Sequence, residues 1–236
     1  MKNIVKAKAG ANGSREKLLV SAGQLFAERG FAGVSVRDIA NAAGVNSALV
    51  GYYFGGKQGL LSEVYTRHCT PLIQERARLL EECSKGKKGP ALEQILEAYI
   101  RPSLAVTIDG HGRSIFTRLR TILSGENSSL LEQLIATNFD QSILAFVDAL
   151  CKCLPHLSRE DVLWRFHFLV SAIYYTGAGP HRIFELSHGA CDPSDALAST
   201  EEMIPFLAAG FRAPRAARSI QPAPGGPKPK RASKGK

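Results

Sequence analysis

The 236-residue sequence predicts an all-α protein, a small three-helix head followed by a larger helical body. Three observations predict it. Apolar residues recur at helical spacing in segment after segment, whereas no stretch sustains the alternation of a half-buried strand. Glycine, proline and short polar breaks separate these segments, with capping residues beside them. A hydrophobic content of 44% over this length is enough to bury a core.

Taken in chain order, Met1 to Gly13 is rich in Lys, Ala and Gly and reads as a flexible arm without the apolar run of a signal peptide. From Ser14 to Arg29, Leu18, Leu19, Ala22, Leu25 and Phe26 fall on one stripe, with Glu16 and Arg29 placed to suit the helix dipole. Gly30 ends that helix, and Phe31 can fold back onto it. Ser35 caps a second helix, with Asp38 in the capping-box slot and Ile39, Ala40 and Ala43 on the inward face. Gly44 follows where a left-handed backbone is needed. Asn46 or Ser47 caps a third helix, whose Val50 and Phe54 point to the core while Ala48, Leu49, Tyr52 and Tyr53 face elsewhere. Gly55-Gly56 then turns into a further helix with Lys57 at its start, where backbone N–H groups and a cation both favour a phosphate. Residues 35–54 therefore read as two short helices joined by a tight turn, the arrangement that lays one helix in the DNA major groove. An ordinary α-hairpin would share that local pattern.

The order of helix, Arg29-Gly30-Phe31, Ser35-Val36-Arg37-Asp38-Ile39-Ala40, Ala43-Gly44-Val45-Asn46, Tyr52-Tyr53-Phe54, Lys57 and Leu60 resembles the N-terminal domain of TetR-type transcriptional regulators over residues 14–65. The resemblance implies that Ser35 and Arg37 touch backbone phosphates. It places Asn46, Ser47, Ala48 and Leu49 against base edges, Tyr52 and Tyr53 on phosphates or thymine methyl groups, and Lys57 on the backbone. Gly51 departs from the tyrosine or asparagine of many members and costs the helix about 1 kcal/mol relative to alanine.

The charge distribution agrees. Residues 1–60 hold 8 Lys/Arg against 3 Asp/Glu, residues 61–211 hold 14 against 18, and residues 212–236 hold 8 against none. A basic head on an acidic body is the asymmetry expected when one domain meets a polyanion. The tail from Arg212, rich in Pro, Gly and Ala as well as cations, reads as disordered and able to add sequence-independent DNA affinity. No apolar run approaches the roughly 18 residues of a membrane span; Phe166 to Tyr175 comes nearest, so a cytoplasmic, nucleoid-associated bacterial protein without a membrane partner is expected. The scattered cysteines, Cys69, Cys83, Cys151, Cys153 and Cys191, fit reduced thiols, and Cys151-x-Cys153 lacks the spacing and second ligand pair of a zinc site. No metal or cofactor is expected.

The body begins with a long helix, Leu61 to Cys83, interrupted at Pro71. Further helices are expected over Ala91–Ile100, Arg113–Leu123, Ser128–Leu154, Ser158 to about Tyr175, and Ser194 or Asp195 to Gly210. Arg101-Pro102 interrupts the chain before a further segment to Ile108, and Asp109-Gly110-His111-Gly112 reads as a break. The resulting plan is an arm over 1–13, a DNA-binding domain over 14–62, an effector-binding and dimerisation domain over 63–211, and a basic tail over 212–236.

A helix-turn-helix reader of a palindromic operator needs a twofold dimer. The family resemblance implies a four-helix interface from the last two long helices. Trp164, Phe168, Ile173, Tyr174, Leu197, Ile204, Phe206 and Leu207 are available for it, with core filling as the alternative. The resemblance also implies an apolar effector cavity in the body, and the C-terminal half is broadly similar to the branch that senses fatty acids or their coenzyme A esters. Phe116, Leu119, Phe139, Ile143, Phe146 and Phe168 could line the cavity, with Arg120 and His167 to orient a carboxylate or carbonyl. The function implied is a sequence-specific transcriptional regulator, a repressor released by a small, largely apolar ligand. A non-specific architectural DNA-binding protein is the alternative. An enzyme is disfavoured, since no Gly-rich phosphate loop, nucleophile elbow or His-Glu-x-x-His run occurs.

Overall fold

Capping chemistry sets the boundaries of the head. In the computed structural model, which describes residues 2–86, 89–109, 112–113, 115–177 and 181–214, helix α1 spans Lys2–Arg29. The segment expected to be an arm is thus helical and continuous with the amphipathic stretch after Ser14. Gly30, at φ 77°, donates its N–H to Phe26 O and ends the helix, and Phe31 returns to within 5.7 Å of the Phe26 ring. Helix α2 (Val36–Ala43) opens with both halves of a capping box, despite the short aspartate: Asp38 N–H donates to Ser35 Oγ (3.1 Å) and Ser35 N–H to Asp38 Oδ2 (2.8 Å). Gly44, left-handed at φ 65°, closes it, and Val45 N–H donates back to Ala40 O. Helix α3 (Ala48–Phe54) starts on Asn46, whose Oδ1 accepts from Ala48 N–H at 2.8 Å, while the Ser47 side chain makes no cap bond.

Helix α4 (Lys57–Ser84) continues through Pro71 and packs on the head and the body alike. Helix α5 (Leu92–Thr107) runs through Pro102, where the sequence suggested a break. Pro102 is buried beside Ile100 and Leu104, and the packing of that face outweighs the one backbone bond that proline removes. Where a plain break was expected, Ile108–Asp109 (β1) and Gly112–Arg113 (β2) form a two-residue antiparallel pair; Gly110 and His111 lie outside the described residues. Helix α6 spans Ile115–Glu126, α7 Ser128–Cys153 and α8 Arg159–Gly177, the last started by Ser158 and Asp161 as a second capping box. A short α9 (His181–Leu186), not foreseen from the sequence, precedes α10 (Ala196–Arg212), which Asp195 caps through the N–H groups of Leu197 and Ala198. Helix α10 extends past Gly210. Arg212, expected to open the tail, is instead its last residue and pairs with Glu93 on α5 through two bonds of 2.5 and 2.9 Å. Beyond Pro214 the tail lies outside the described residues.

The core divides in two, and not at the head–body boundary. One cluster joins Leu18, Phe26, Ile39, Val50 and Phe54 of the head to Leu60, Tyr65, Phe116, Leu119 and Leu131. Tyr65, Phe116 and Phe139 meet there as three rings with centroids 5.4 to 6.5 Å apart. The other cluster lies wholly in the body, where Tyr99 receives Phe146 and Phe166 edge-on at 4.9 Å each. Helix α7 serves both clusters. Its stretch Ser129–Cys153 has, contrary to the sequence reading, the length and mean hydropathy (1.3) of a membrane span. Leu130, Leu134, Phe139, Phe146, Val147 and Leu150 spend that hydrophobicity on the core, and Asp140, Asp148 and Lys152 interrupt the outer face.

Candidate functional site

The capping bonds of α2 and α3 sort the motif into two faces. Ile39, Ala40, Val50 and Phe54 are buried. Ser35, Arg37, Asn46, Ser47, Ala48, Gly51 and Tyr52 are exposed, so one continuous polar and aromatic surface runs across both helices and the turn. Tyr52, 80% exposed, stands edge-on to Tyr53 with ring centroids 5.0 Å apart. Tyr53 and Leu49 are half-buried and lean on the core, so each offers one edge outward. Open space surrounds the Gly51 position, which widens the gap beside Tyr52. The Asp38 carboxyl is held below the usual carboxylate range, chiefly by its hydrogen bonds from the Ser35 side chain and backbone. It therefore remains a charged acceptor for the cap.

Lys57, expected to meet a phosphate, is anchored on Phe31. Its ammonium lies 4.3 Å above the Phe31 ring and donates to Phe31 O. The same residue is gripped from the body: Phe31 N–H donates to Glu126 Oε2 at 2.8 Å and Ala32 N–H to the same oxygen at 3.3 Å. Glu126 is the last residue of α6. A methyl group on Gly30 would push the Glu126 carboxylate aside, and the positive φ is what calls for glycine there. Further ties come from Arg67–Glu16 (2.7 Å) and Arg15–Glu63, which link α1 to α4.

A cavity of about 80 Å3 opens among α4 to α8. Of the residues expected to line it, Phe116, Arg120, Phe139 and Ile143 do. Leu119 and Phe146 are core instead, because their helix faces turn into the first and second cluster respectively. His167 and Phe168 point outward on α8, one turn from Trp164 and away from the cavity. Ile173 and Tyr174, expected at a dimer interface, line the cavity from α8. The sequence reading missed Arg76, Tyr99, Ser103 and Thr117 on its wall. Arg76 could have been found: Cys69, Leu72, Arg76 and Leu79 follow helical spacing, which puts a cation on an apolar stripe.

Arg76 is 5% exposed. Its guanidinium stacks 3.6 Å over the Tyr99 ring and donates to Tyr99 O (3.3 Å) and Ser103 Oγ (2.6 Å). Burial pulls its pKa below the usual arginine range, and the Arg120 charge pulls the same way against the support of Tyr99. Arg120 lies between the Phe116 and Tyr174 rings at 5.6 and 5.3 Å, and its buried Nε has no partner.

The outer faces of α8 and α10 carry the largest exposed apolar side chains of the body. Trp164 and Phe168 stack at 5.9 Å, and Leu197 and Phe206 are 65% and 75% exposed. Ile204 is half-buried and Leu207 is core, so they hold α10 in place and contribute little to that surface.

Known proteins share both halves of this arrangement. The family model for bacterial regulatory proteins of the tetR family matches residues 18–64, and that for the tetracyclin repressor-like C-terminal domain matches residues 97–210. The HTH-type transcriptional repressor KstR2 of Rhodococcus jostii is 43% identical over 163 residues, 68% of this chain and 76% of that protein. The probable HTH-type transcriptional regulator YttP of Bacillus subtilis is 47% identical over 51 residues, 22% of this chain and 25% of that protein. Among solved structures, the FadR regulator of Bacillus subtilis in complex with stearoyl-CoA has the same fold, with a TM-score of 0.62 at 17% identity over 83% of this chain and 98% of that one. The chain belongs to the TetR family of bacterial transcriptional regulators.

Proposed function

We propose that this regulator is a homodimeric repressor that reads a palindromic operator with α2 and α3 and is released by a small, largely apolar ligand in the α4–α8 cavity. The observation that carries the DNA reading is the continuous exposed face of Arg37, Asn46, Ser47, Ala48 and Tyr52, backed by a buried face that fixes its orientation. In this reading Ser35 and Arg37 hold phosphates, Asn46 through Leu49 meet base edges, and Tyr52 and Tyr53 add apolar and phosphate contacts. Lys57 acts from its perch on Phe31. The exposed Trp164, Phe168, Leu197 and Phe206 supply the twofold interface, which a two-half-site operator requires. The naming of the relative KstR2 as a repressor supports the sign of regulation. The cation-rich tail beyond Pro214 adds affinity without sequence preference. None of these roles calls for catalysis, and the protein acts on DNA in the cytoplasm.

The test is fluorescence anisotropy on the DNA upstream of the protein's own gene against a scrambled duplex, over a salt series. A preference of about 10³ or more for the native duplex is the expected outcome. Equal affinity for both at every salt concentration would overturn the specific-regulator reading in favour of an unspecific DNA binder.

A further inference from the structure

We infer that the cavity takes a free carboxylic acid, its carboxylate held between Arg76 and Arg120. This rests on the effector reading above and names the class of ligand. Two guanidinium groups reach the cavity, Arg76 from α4 and Arg120 from α6. No aspartate or glutamate lines it, and neither arginine has an ion-pair partner among the described residues. Arg76 meets only neutral acceptors, Tyr99 O and Ser103 Oγ, which use two of its five donors. Arg120 meets aromatic faces and keeps a buried Nε unpaired. Buried charges are normally paired, because desolvation is otherwise uncompensated. A second cation in the same wall, the half-buried Arg120 with its buried Nε, makes the deficit larger. An anion is the missing partner, and it must come from outside the chain.

The rest of the lining says which anion. Apart from the neutral hydroxyls of Tyr99, Ser103, Thr117 and Tyr174, the lining is apolar and carries no second charge, so one end of the ligand is charged and the remainder is largely apolar. A planar two-oxygen group matches the guanidinium fork, and Arg120 lines the cavity with its guanidinium beside the Phe116 and Tyr174 rings. The volume of about 80 Å3 is roughly half that of a cavity that accepts benzene, enough for the head group and the first few carbons. A thioester or primary amide of the same acid puts a neutral carbonyl where the charge is needed. The cavity therefore selects the free acid over its neutral derivatives.

Isothermal titration calorimetry and thermal denaturation of the full chain test this with sodium butyrate, octanoate and phenylacetate. The matched primary alcohols and amides serve as neutral controls. At least one carboxylate should bind and raise Tm, with its neutral partners weaker by about tenfold or more. Arg120→Gln, at a half-buried position the fold tolerates better than Arg76, should weaken the acid by a similar factor while leaving alcohol binding unchanged. Failure of all three acids to bind, equal binding of acid and alcohol, or full acid affinity in R120Q would each overturn the inference. DNA anisotropy is recorded alongside. An acid that binds through Arg120 without changing DNA affinity supports the ligand class and sinks the effector reading, so the two fail separately.

Discussion

The DNA-facing motif and the cavity differ in how far apart their parts lie in the chain. Ser35, Asp38, Gly44 and Asn46 shape α2 and α3 through bonds to residues at most five positions away. The cavity draws on Leu72, Tyr99, Phe116, Phe139 and Ile173, which come together only when five helices pack. A locally capped surface keeps the shape of its two helices and is edited one side chain at a time. A cavity built from distant pieces responds to any change in the packing around it.

The largest test of that contrast is Phe146→Ala. Phe146 lies outside both sites, 1% exposed and edge-on to Tyr99. Its truncation should cost about 3–5 kcal/mol in urea denaturation and loosen the cavity wall behind Tyr99. A loss below about 1 kcal/mol would show that the second cluster does not hold the cavity in shape. Tyr52→Ala comes next. Removing a ring that is 80% exposed should leave Tm within experimental scatter but weaken operator binding by about 1–3 kcal/mol. Unchanged DNA affinity would remove Tyr52 from the reading face.

Ser35→Ala is the smallest and sharpens the comparison from the local side. Loss of the cap should cost about 1 kcal/mol, without altering the binding of any cavity ligand. The partner carboxyl makes the effect pH-dependent. The pKa of Asp38 is lower folded than unfolded, so the stability it contributes is complete above the ordinary carboxylate pKa of about 3.9 and is lost as pH falls through the folded value. Wild-type protein and S35A should therefore converge in stability toward acid pH, and a constant gap down to acid denaturation would contradict the capping box.

The same contrast explains what could be read from the sequence. Gly30, Ser35, Gly44, Ser158 and Asp195 announced helix ends because each acts on its immediate neighbours. Pro102 misled because its burial among α5 side chains, a tertiary effect, kept the helix going. Residue type suits Leu119 and Phe146 equally to cavity and core, and only the rotation of their helices decides for the core. Ile173 and Tyr174 went the other way for the same reason. Arg76 is legible in the sequence: a cation on an apolar stripe needs a partner, and none lies within reach along the helix. The clamp on Phe31 by Glu126, 95 positions away, left no local trace.

Helix α4 also works as a beam. It carries Lys57 at the Phe31 end and Arg76 in the cavity wall, 19 residues apart along one continuous helix, roughly 28 Å at 1.5 Å per residue. On an arm of that length a tilt of about 7° sweeps the far end through roughly 3.4 Å, one base-pair step. A tilt of that size started in the cavity wall would therefore reach the DNA-facing end as a shift of one base-pair step.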